Sequence, residues 1–534
     1  MEAGNLSPNV VVPSDFTASL ANYVERARAE WGNIGLAVGI VIGSDAVFVQ
    51  GFGRKRHDEP DPVTVDTLFQ IGSTTKAFAA TALALLVKDG RVTWDDPIAH
   101  HIPAFTLKDP SLTPRLTIRD ALAHRSGLGD TNFYPFMSVA PAIDPVAQLA
   151  FVDTAAPFRA SFCYNNLLYA AAGAVVEQVT GTSWAAFLKR RLLVPLGMKR
   201  THASFSDLWR QEAVAPVFFG ESILREPTEA AANDGDIAFP HIWDPEGKPQ
   251  ITDWQCYDDA AAAGALVSSM ADMTKWLSFN LTGEGTSGEK LLAPGLFADL
   301  FTTQNQAIDL IQYPFSEETY ALGWRRALYG ENIVLNHGGG IIGFPAWIAM
   351  MPERKIGVVI LSNGSARARE ALGTHKFGLH RTIALWAFDR LLGMPPRDWS
   401  TDLLDRALAA GAERKNLQAS LDGAGAMPGK AEMLDRYEGT YRDIEGHSGP
   451  VRIVAEDGVL TLRFPGPGAY CAQLVSSGDH RFRLRSIARV DEILSASYPH
   501  VLFYADGVGT IVSFEALGAH FSKDGPGILE EHKP

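Results

Sequence analysis

Gln70-Ile71-Gly72-Ser73-Thr74-Thr75-Lys76 runs directly into Ala77-Phe78-Ala79-Ala80-Thr81-Ala82-Leu83-Ala84-Leu85-Leu86-Val87. The second stretch is apolar on every side, so it reads as a helix buried all round. Asp89-Gly90 supplies its glycine stop. With a helix start at or near Ser73, residues three apart share a face, and the Lys76 amine points towards the Ser73 hydroxyl. A lysine beside a serine at a helix start is one way to make a nucleophile. The spacing alone is common by chance, as an N-cap serine and a solvated lysine. Its meaning depends on what the rest of the chain brings to it.

Working outward, Phe16, Leu20, Tyr23, Val24 and Ala27 recur at helical spacing across 16–32, after a polar segment 1–15 expected to be flexible. Two β-rich runs, 34–42 and 46–53, flank Gly43-Ser44-Asp45 and read as a hairpin. Residues from about 90 to 300 read as helices and long loops, with helices at 116–124, 167–179, 184–193 and around Thr274-Lys275-Trp276-Leu277. Two loops, 130–150 and 205–260, hold Phe133, Tyr134, Phe136, Phe218, Phe219, Phe239, Trp243, Trp254 and Tyr257. Long aromatic loops of this kind favour a pocket. Strands return at 320–324, 332–337, 344–351 and 356–363, with a turn at Pro352-Glu353-Arg354-Lys355 and a closing helix over 379–393.

The expected fold is therefore α/β in the α+β sense. An antiparallel sheet is built from both ends of a domain spanning 16–394, flanked by helices, with a helical subdomain inserted at about 90–300. Residues 395–432 contain a Pro pair, a charged helix and a Gly-rich run, and read as a linker. Short strands at 437–441, 451–454, 459–464, 481–484, 501–504 and 510–514 make 433–534 a small all-β barrel.

Composition narrows the function. A chain of 534 residues is long enough for several domains, and 46% apolar with 20% charged residues is globular. The net charge of −14 argues against a nucleic-acid partner. Three cysteines, Cys163, Cys256 and Cys471, make neither a disulfide framework nor a metal cluster, so no metal or cofactor is expected. No apolar run approaches ~20 residues, so no membrane span is expected. Without a signal peptide the chain reads as cytoplasmic as written, or as periplasmic or secreted if a leader was trimmed. The expected partner is a small-molecule or peptide substrate, and homo-oligomerisation stays open.

Two further motifs change the weight of Ser73 and Lys76. Tyr164-Asn165-Asn166 opens a helix, and His337-Gly338-Gly339-Gly340 follows a strand. In this order the three resemble S-x-x-K, Y-x-N and K/H-x-G of the serine β-lactamase and penicillin-binding-protein superfamily. Residues from about 20 to 390 look like its class C β-lactamase, D-aminopeptidase and esterase branch, supported also by 121–128, 263–273 and Leu322-Gly323-Trp324. The stretch 435–520 is similar to the lipocalin-like barrel appended to some of these hydrolases.

The resemblance implies roles. Ser73 would be the acylated nucleophile, and Lys76 or Tyr164 the base. Asn166 would hold Lys76 and the substrate amide. The N–H groups of Ser73 and Gly340 would form the oxyanion hole, while Gly338 and Gly339 would let the backbone approach the substrate. His337 stands where many relatives carry the Lys that binds a drug carboxylate, which points away from efficient β-lactam hydrolysis. Trp243, Trp254, Tyr257 and Trp347 are candidates to line the pocket. The reaction implied is amide or ester hydrolysis, on D-amino-acid or small acyl substrates. Transfer to an amine, as in a transacylase or peptide cyclase, is the alternative, and an inactive binding scaffold the next. His337-Gly338-Gly339-Gly340 also spells an α/β-hydrolase oxyanion loop, but no G-x-S-x-G follows; Gly446-His447-Ser448-Gly449-Pro450 fails at its last position. His124 reads as a loop anchor.

Overall fold

The computed structural model describes residues 10–129, 144–152, 154–205, 207–208, 235–243, 247–252, 254, 257–306, 313–364, 377–409, 412, 434–443, 451–456, 459–463, 471–478, 481–486, 500–505, 510–516 and 519–523. Most of the two aromatic loops, including Phe133, Tyr134, Phe136, Phe218 and Phe219, lies outside these residues, as do 1–9 and 413–433. The chain divides into two compact units, one holding the described residues 10–409 and the other those from 412 to 523.

Helix α1 (Phe16–Glu30) buries Phe16, Leu20, Tyr23, Val24 and Ala27, the residues whose spacing predicts it. The hairpin follows as β1 (Gly35–Ile42) and β2 (Asp45–Gly53). All positions of β1 are buried, because helices cover both faces of the sheet at this point. α4 (Met270–Thr282) packs on one face, and α1 with α5 (Gly378–Leu391) on the other. Between β1 and α4 come β3 (Leu68–Gln70), the apolar helix α2 (Thr75–Lys88), α3 (Asn166–Thr180) and β4 (Val267–Ser269). The remaining strands are β5 (Asn305–Gln306), β6 (Ser316–Tyr320), β7 (Arg325–Tyr329), β8 (Asn332–Ile341), β9 (Phe344–Met351) and β10 (Ile356–Ser362).

One antiparallel sheet has the order β2-β1-β10-β9-β8-β7-β6-β5. Its two halves join where β1 meets β10, from Leu36 opposite Ser362 to Ile42 opposite Ile356. The first and last parts of the unit thus share one sheet, and the helical segment is inserted between them, as the sequence predicts. β3 and β4 pair separately, Phe69 opposite Ser268, and this pairing holds the Ser73 turn next to the inserted helices.

Several boundaries differ from expectation. The strand at 320–324 ends at Tyr320, and the chain turns through Gly323 at φ +78°, with the Ala321 N–H donating to the Trp324 carbonyl at 2.8 Å. Ala321, Leu322 and Trp324 are all buried, which is why a turn carries the composition of a strand. The motif His337-Gly338-Gly339-Gly340 lies inside β8 and does not follow it. The N-terminal segment is tied down from Val10: that side chain is buried, and the Val11 N–H donates to the Leu391 carbonyl at 3.0 Å. Nor does the unit end at 394. Residues 399–409 are helical, and Trp399, Leu403 and Ala407 belong to the core formed with α1 and α5. The Trp399 indole N–H donates to Asp389 at 2.7 Å, and the Ser400 N–H to the Tyr23 hydroxyl at 3.0 Å.

The second unit is a ring of eight antiparallel strands, β11 (Gly439–Asp443), β12 (Val451–Glu456), β13 (Val459–Arg463), β14 (Cys471–Gly478), β15 (Arg481–Ser486), β16 (His500–Ala505), β17 (Ile511–Ala516) and β18 (Ala519–Lys523). It closes where β11 pairs with β18, Tyr441 opposite Lys523. Val451, Ile453, Leu460 and Leu462 alternate into the interior. Tyr437, Phe482 and Phe503 pack edge to face there, with centroids 4.8 to 5.3 Å apart. Among the described residues no helix is long and apolar enough to cross a membrane.

Candidate active site

Ser73 sits in a single 3₁₀ turn, Gly72–Thr74, immediately before α2. Gly72 enters it at φ +52°, a region that suits glycine, and the Thr74 hydroxyl closes the turn on the Ile71 carbonyl at 2.9 Å. Lys76 follows one turn later and is fully buried, since α2 has no polar face. Its Nζ lies 3.1 Å from Ser73 Oγ, 2.6 Å from Asn166 Oδ1 and 2.8 Å from the Ala263 carbonyl. Desolvation holds this amine well below the usual lysine value. The hydrogen-bond set suits a neutral amine. Its two N–H groups satisfy the two amide oxygens, which can only accept, and its lone pair is left for the Ser73 hydroxyl proton. The same three partners also satisfy an ammonium, so the group can take a proton without moving.

Tyr164 and Asn166 stand at the start of α3. Asn165 is the N-cap, its Oδ1 accepting from the Leu168 N–H at 3.0 Å. This cap fixes Asn166 at the first helical position, facing Lys76. The Tyr164 hydroxyl donates to Ser73 Oγ at 2.8 Å. The Lys76 amine lies 4.8 Å from the Tyr164 ring centroid and 5.0 Å from that of Tyr169. Ser73 Oγ accepts from the Tyr164 hydroxyl and, when Lys76 is an ammonium, from Nζ as well; when the amine is neutral, the Ser73 hydroxyl can donate to it.

The glycines of β8 pack closely against the rest of the protein. A Cβ on Gly339 would lie 1.9 Å from the Ile71 carbonyl oxygen and 3.3 Å from the Ser73 nitrogen. A Cβ on Gly72 would lie 2.8 Å from the Gly340 nitrogen. So the strand and the nucleophile turn touch backbone to backbone, and this contact sets the Gly340 N–H beside the Ser73 turn. Gly338 faces elsewhere, where a Cβ would lie 2.4 Å from the Phe377 ring. Gly338 and Gly339 are thus both required by packing within the protein.

His337 is buried on the same strand. Its Nδ1 lies 2.8 Å from the Gly338 carbonyl, so that nitrogen donates. Its Nε2 lies 2.9 Å from the Tyr320 hydroxyl. Both nitrogens are engaged within the protein, unlike a lysine amine projecting to a substrate carboxylate.

The expected pocket aromatics divide. Trp347 belongs to the core between sheet and helices, packed on Phe377 at 5.6 Å, and its pocket assignment is corrected. Alternation along β9 places it there. Trp254 is buried against Phe344 at 4.9 Å, its indole N–H donating to the Ala238 carbonyl at 3.0 Å. Trp243 is buried in a short ribbon pairing 241–243 with 249–251, and Tyr257 is half-buried before a 3₁₀ turn. Sequence reasoning missed the Ala263 carbonyl on Lys76, Tyr320 on His337, and the aromatic packing around His124. A carbonyl has no sequence signal, but the buried Tyr320 lies at the end of a strand adjoining β7, as a paired residue can.

Comparison with known proteins follows the same outline. The family model described as Beta-lactamase matches residues 20–379. The chain is 30% identical over 445 residues to a protein named unguisins hydrolase ungD from Aspergillus violaceofuscus, covering 78% of this chain and 73% of that one. It resembles the octameric penicillin-binding protein homologue from Pyrococcus abyssi with a TM-score of 0.56 at 22% identity, over 95% of this chain and 99% of the other. It also resembles the D-amino acid amidase from Ochrobactrum anthropi, with a TM-score of 0.54 at 22% identity over 70% and 98% of the two chains. At such identities the solved structures speak to the fold.

Proposed function

The chain belongs to the beta-lactamase family, and from that premise we propose that it is a serine hydrolase of amide or ester bonds working through an acyl-enzyme on Ser73. The observation that carries this is the hydrogen-bond set of Lys76, a desolvated amine whose two spare donors are taken by Asn166 and Ala263 and whose third partner is the nucleophile. An inert binding scaffold has no need of a buried lysine directed at a serine, and burial of that amine carries a cost.

The steps follow from the geometry. The substrate carbonyl sits between the N–H groups of Ser73 and Gly340. As the Ser73 Oγ–carbon bond forms, the hydroxyl proton passes to Lys76 Nζ, and the negative charge on the carbonyl oxygen is met by the two N–H donors. The scissile C–N or C–O bond then breaks. The leaving group takes a proton from the Lys76 ammonium, with the Tyr164 hydroxyl beside Ser73 Oγ as the relay. Water repeats the sequence in reverse and frees the acid.

The engaged imidazole of His337 supports a peptidase or esterase over a dedicated β-lactamase, because a β-lactam carboxylate would find no lysine at this position. The name of the A. violaceofuscus relative makes unguisins the first substrates to try. The description of the P. abyssi homologue as octameric makes self-association part of the same proposal, decided by sedimentation. The barrel over 433–534 is proposed as a separate, lipocalin-like appendage to this enzyme. The discriminating experiment compares kcat/KM on peptide amides of both configurations, activated esters and a chromogenic cephalosporin. Amides or esters are expected to exceed the cephalosporin by orders of magnitude. A cephalosporin turned over best would overturn the substrate assignment.

A further inference from the structure

The hydroxyl of Tyr164 must stay on Ser73 Oγ, yet the residue lies in the loop before α3, outside regular structure. His124 grips that loop on both sides of Tyr164. Its carbonyl accepts from the Cys163 N–H at 2.9 Å. Its imidazole Nδ1 accepts from the Asn165 N–H at 3.1 Å. Between these two bonds the His124 ring lies 4.3 Å from the Tyr164 ring, tilted by 34°.

Two features of His124 cost stability. It has φ +52°, where a residue with a β-carbon is strained. Since Nδ1 accepts, the ring proton sits on Nε2, which is buried and has no hydrogen-bond partner among the described residues, amid the rings of Phe162, Tyr164, Tyr169 and Tyr320. An apolar side chain would remove the second cost, but it would leave the Asn165 N–H without its acceptor. Burial above all holds the imidazole well below the usual histidine range, so that Nδ1 remains an acceptor.

We propose that His124 is a positioning residue for the reaction, which fixes the Tyr164 hydroxyl on Ser73 by holding the peptide N–H groups on either side of that tyrosine. The proposal rests on the reading that Tyr164 takes part in proton transfer at Ser73. It is tested in the full-length protein by a double-mutant cycle on the acylation rate, taken from the burst phase with an activated ester. His124→Phe keeps a ring and removes the acceptor. His124→Asn places an oxygen near the Nδ1 position and tolerates positive φ.

His124→Phe is expected to slow acylation about tenfold and His124→Asn to stay within about threefold of the parent, the range of one backbone hydrogen bond lost and kept. In a Tyr164→Phe background, His124→Phe should add no further slowing. If His124→Phe does not fold, His124→Gln, whose acceptor falls near Nε2 instead, takes its place with the same expectation. Equal losses in both backgrounds, or an Asn variant as slow as the Phe variant, would overturn the proposal alone. A Tyr164→Phe enzyme that acylates at the parent rate would overturn the role of Tyr164 and this proposal with it.

Discussion

Replacing Gly339 by alanine tests the contact that would build the proposed oxyanion hole. The added Cβ would lie 1.9 Å from the Ile71 carbonyl oxygen, where a carbon–oxygen contact needs about 3.3 Å. The strand and the Ser73 turn must therefore separate by more than about 1 Å, and neither neighbour is a side chain that can rotate away. A shift of that size in reacting geometry costs about 100-fold, and loss of one oxyanion donor about 100- to 1,000-fold. We expect kcat to fall by about 100- to 1,000-fold in Gly339→Ala, with a stability loss of about 1–3 kcal/mol from overpacking. The assays are burst kinetics with an activated ester and urea unfolding. Gly338→Ala is the matched comparison. Its Cβ meets the Phe377 ring, a side chain that can turn, so it should lose stability with a much smaller change in kcat. A folded Gly339→Ala enzyme within about threefold of the parent rate would refute the reasoning, because the overlap leaves no room for so small an effect.

The remaining predictions concern buried charge and the limits of the first unit. Acylation by a neutral Lys76 should rise with pH and level off well below the ordinary value of 10.5, a profile read from kcat/KM. Because folding lowers this pKa, the unfolded chain holds the extra proton between the folded value and 10.5, and stability rises with pH across that window. Lys76→Met should therefore abolish acylation yet raise Tm near neutral pH, a gain that fades towards pH 10.5. Asp120 is buried; burial raises its pKa, but hydrogen bonds from Arg159, Thr117 and Arg125 outweigh this, and the net shift is downward. Its contribution is present above the unfolded carboxylate value and lost as pH falls through the folded one. Asp120→Asn should destabilise by about 3 kcal/mol in urea unfolding, as when one partner of a buried ion pair is removed. A chain cut after residue 394 should be less stable than one cut after 411, and Trp399→Ala should cost about 3–5 kcal/mol, since Trp399 is in the core.

Helix α1, the hairpin β1–β2 and the order of the outer elements were legible because each carries a strong period and a clear turn residue. Phe16 to Ala27 recur at helical spacing and are the residues buried, and Gly43 at φ +62° makes the turn. The four candidate side chains Ser73, Lys76, Tyr164 and Asn166 lie within hydrogen-bond reach of one another through Lys76 and Ser73. What failed was whatever depends on a tertiary partner. β7 begins with Arg325-Arg326, whose side chains mask a strand, whereas the apolar turn before it imitates one. β14 and β18 were not read, because Cys471–Gly478 is mostly small and polar and Ala519–Lys523 has few β-formers. The helix 399–409 reads as linker because its apolar inward face is short, carried by Trp399, Leu403 and Ala407 with Leu404 partly buried beside them. Glycine identity was visible in Gly338 and Gly339, but which atoms crowd each one is a property of the folded chain. His124 shows the same limit. Its residue type suggested an anchor, and only the structure shows what it anchors.

The central claim is that Ser73 becomes acylated with Lys76 as its base. It is tested most directly by mixing the protein with an activated ester, quenching in acid within the burst, and locating the acyl group by peptide mass spectrometry, with Lys76→Met in parallel. The account predicts the acyl group on the Ser73 peptide of the parent, and none within the burst in the Lys76 variant. An acyl group on another residue, or a Lys76 variant that labels Ser73 at the parent rate, would contradict it.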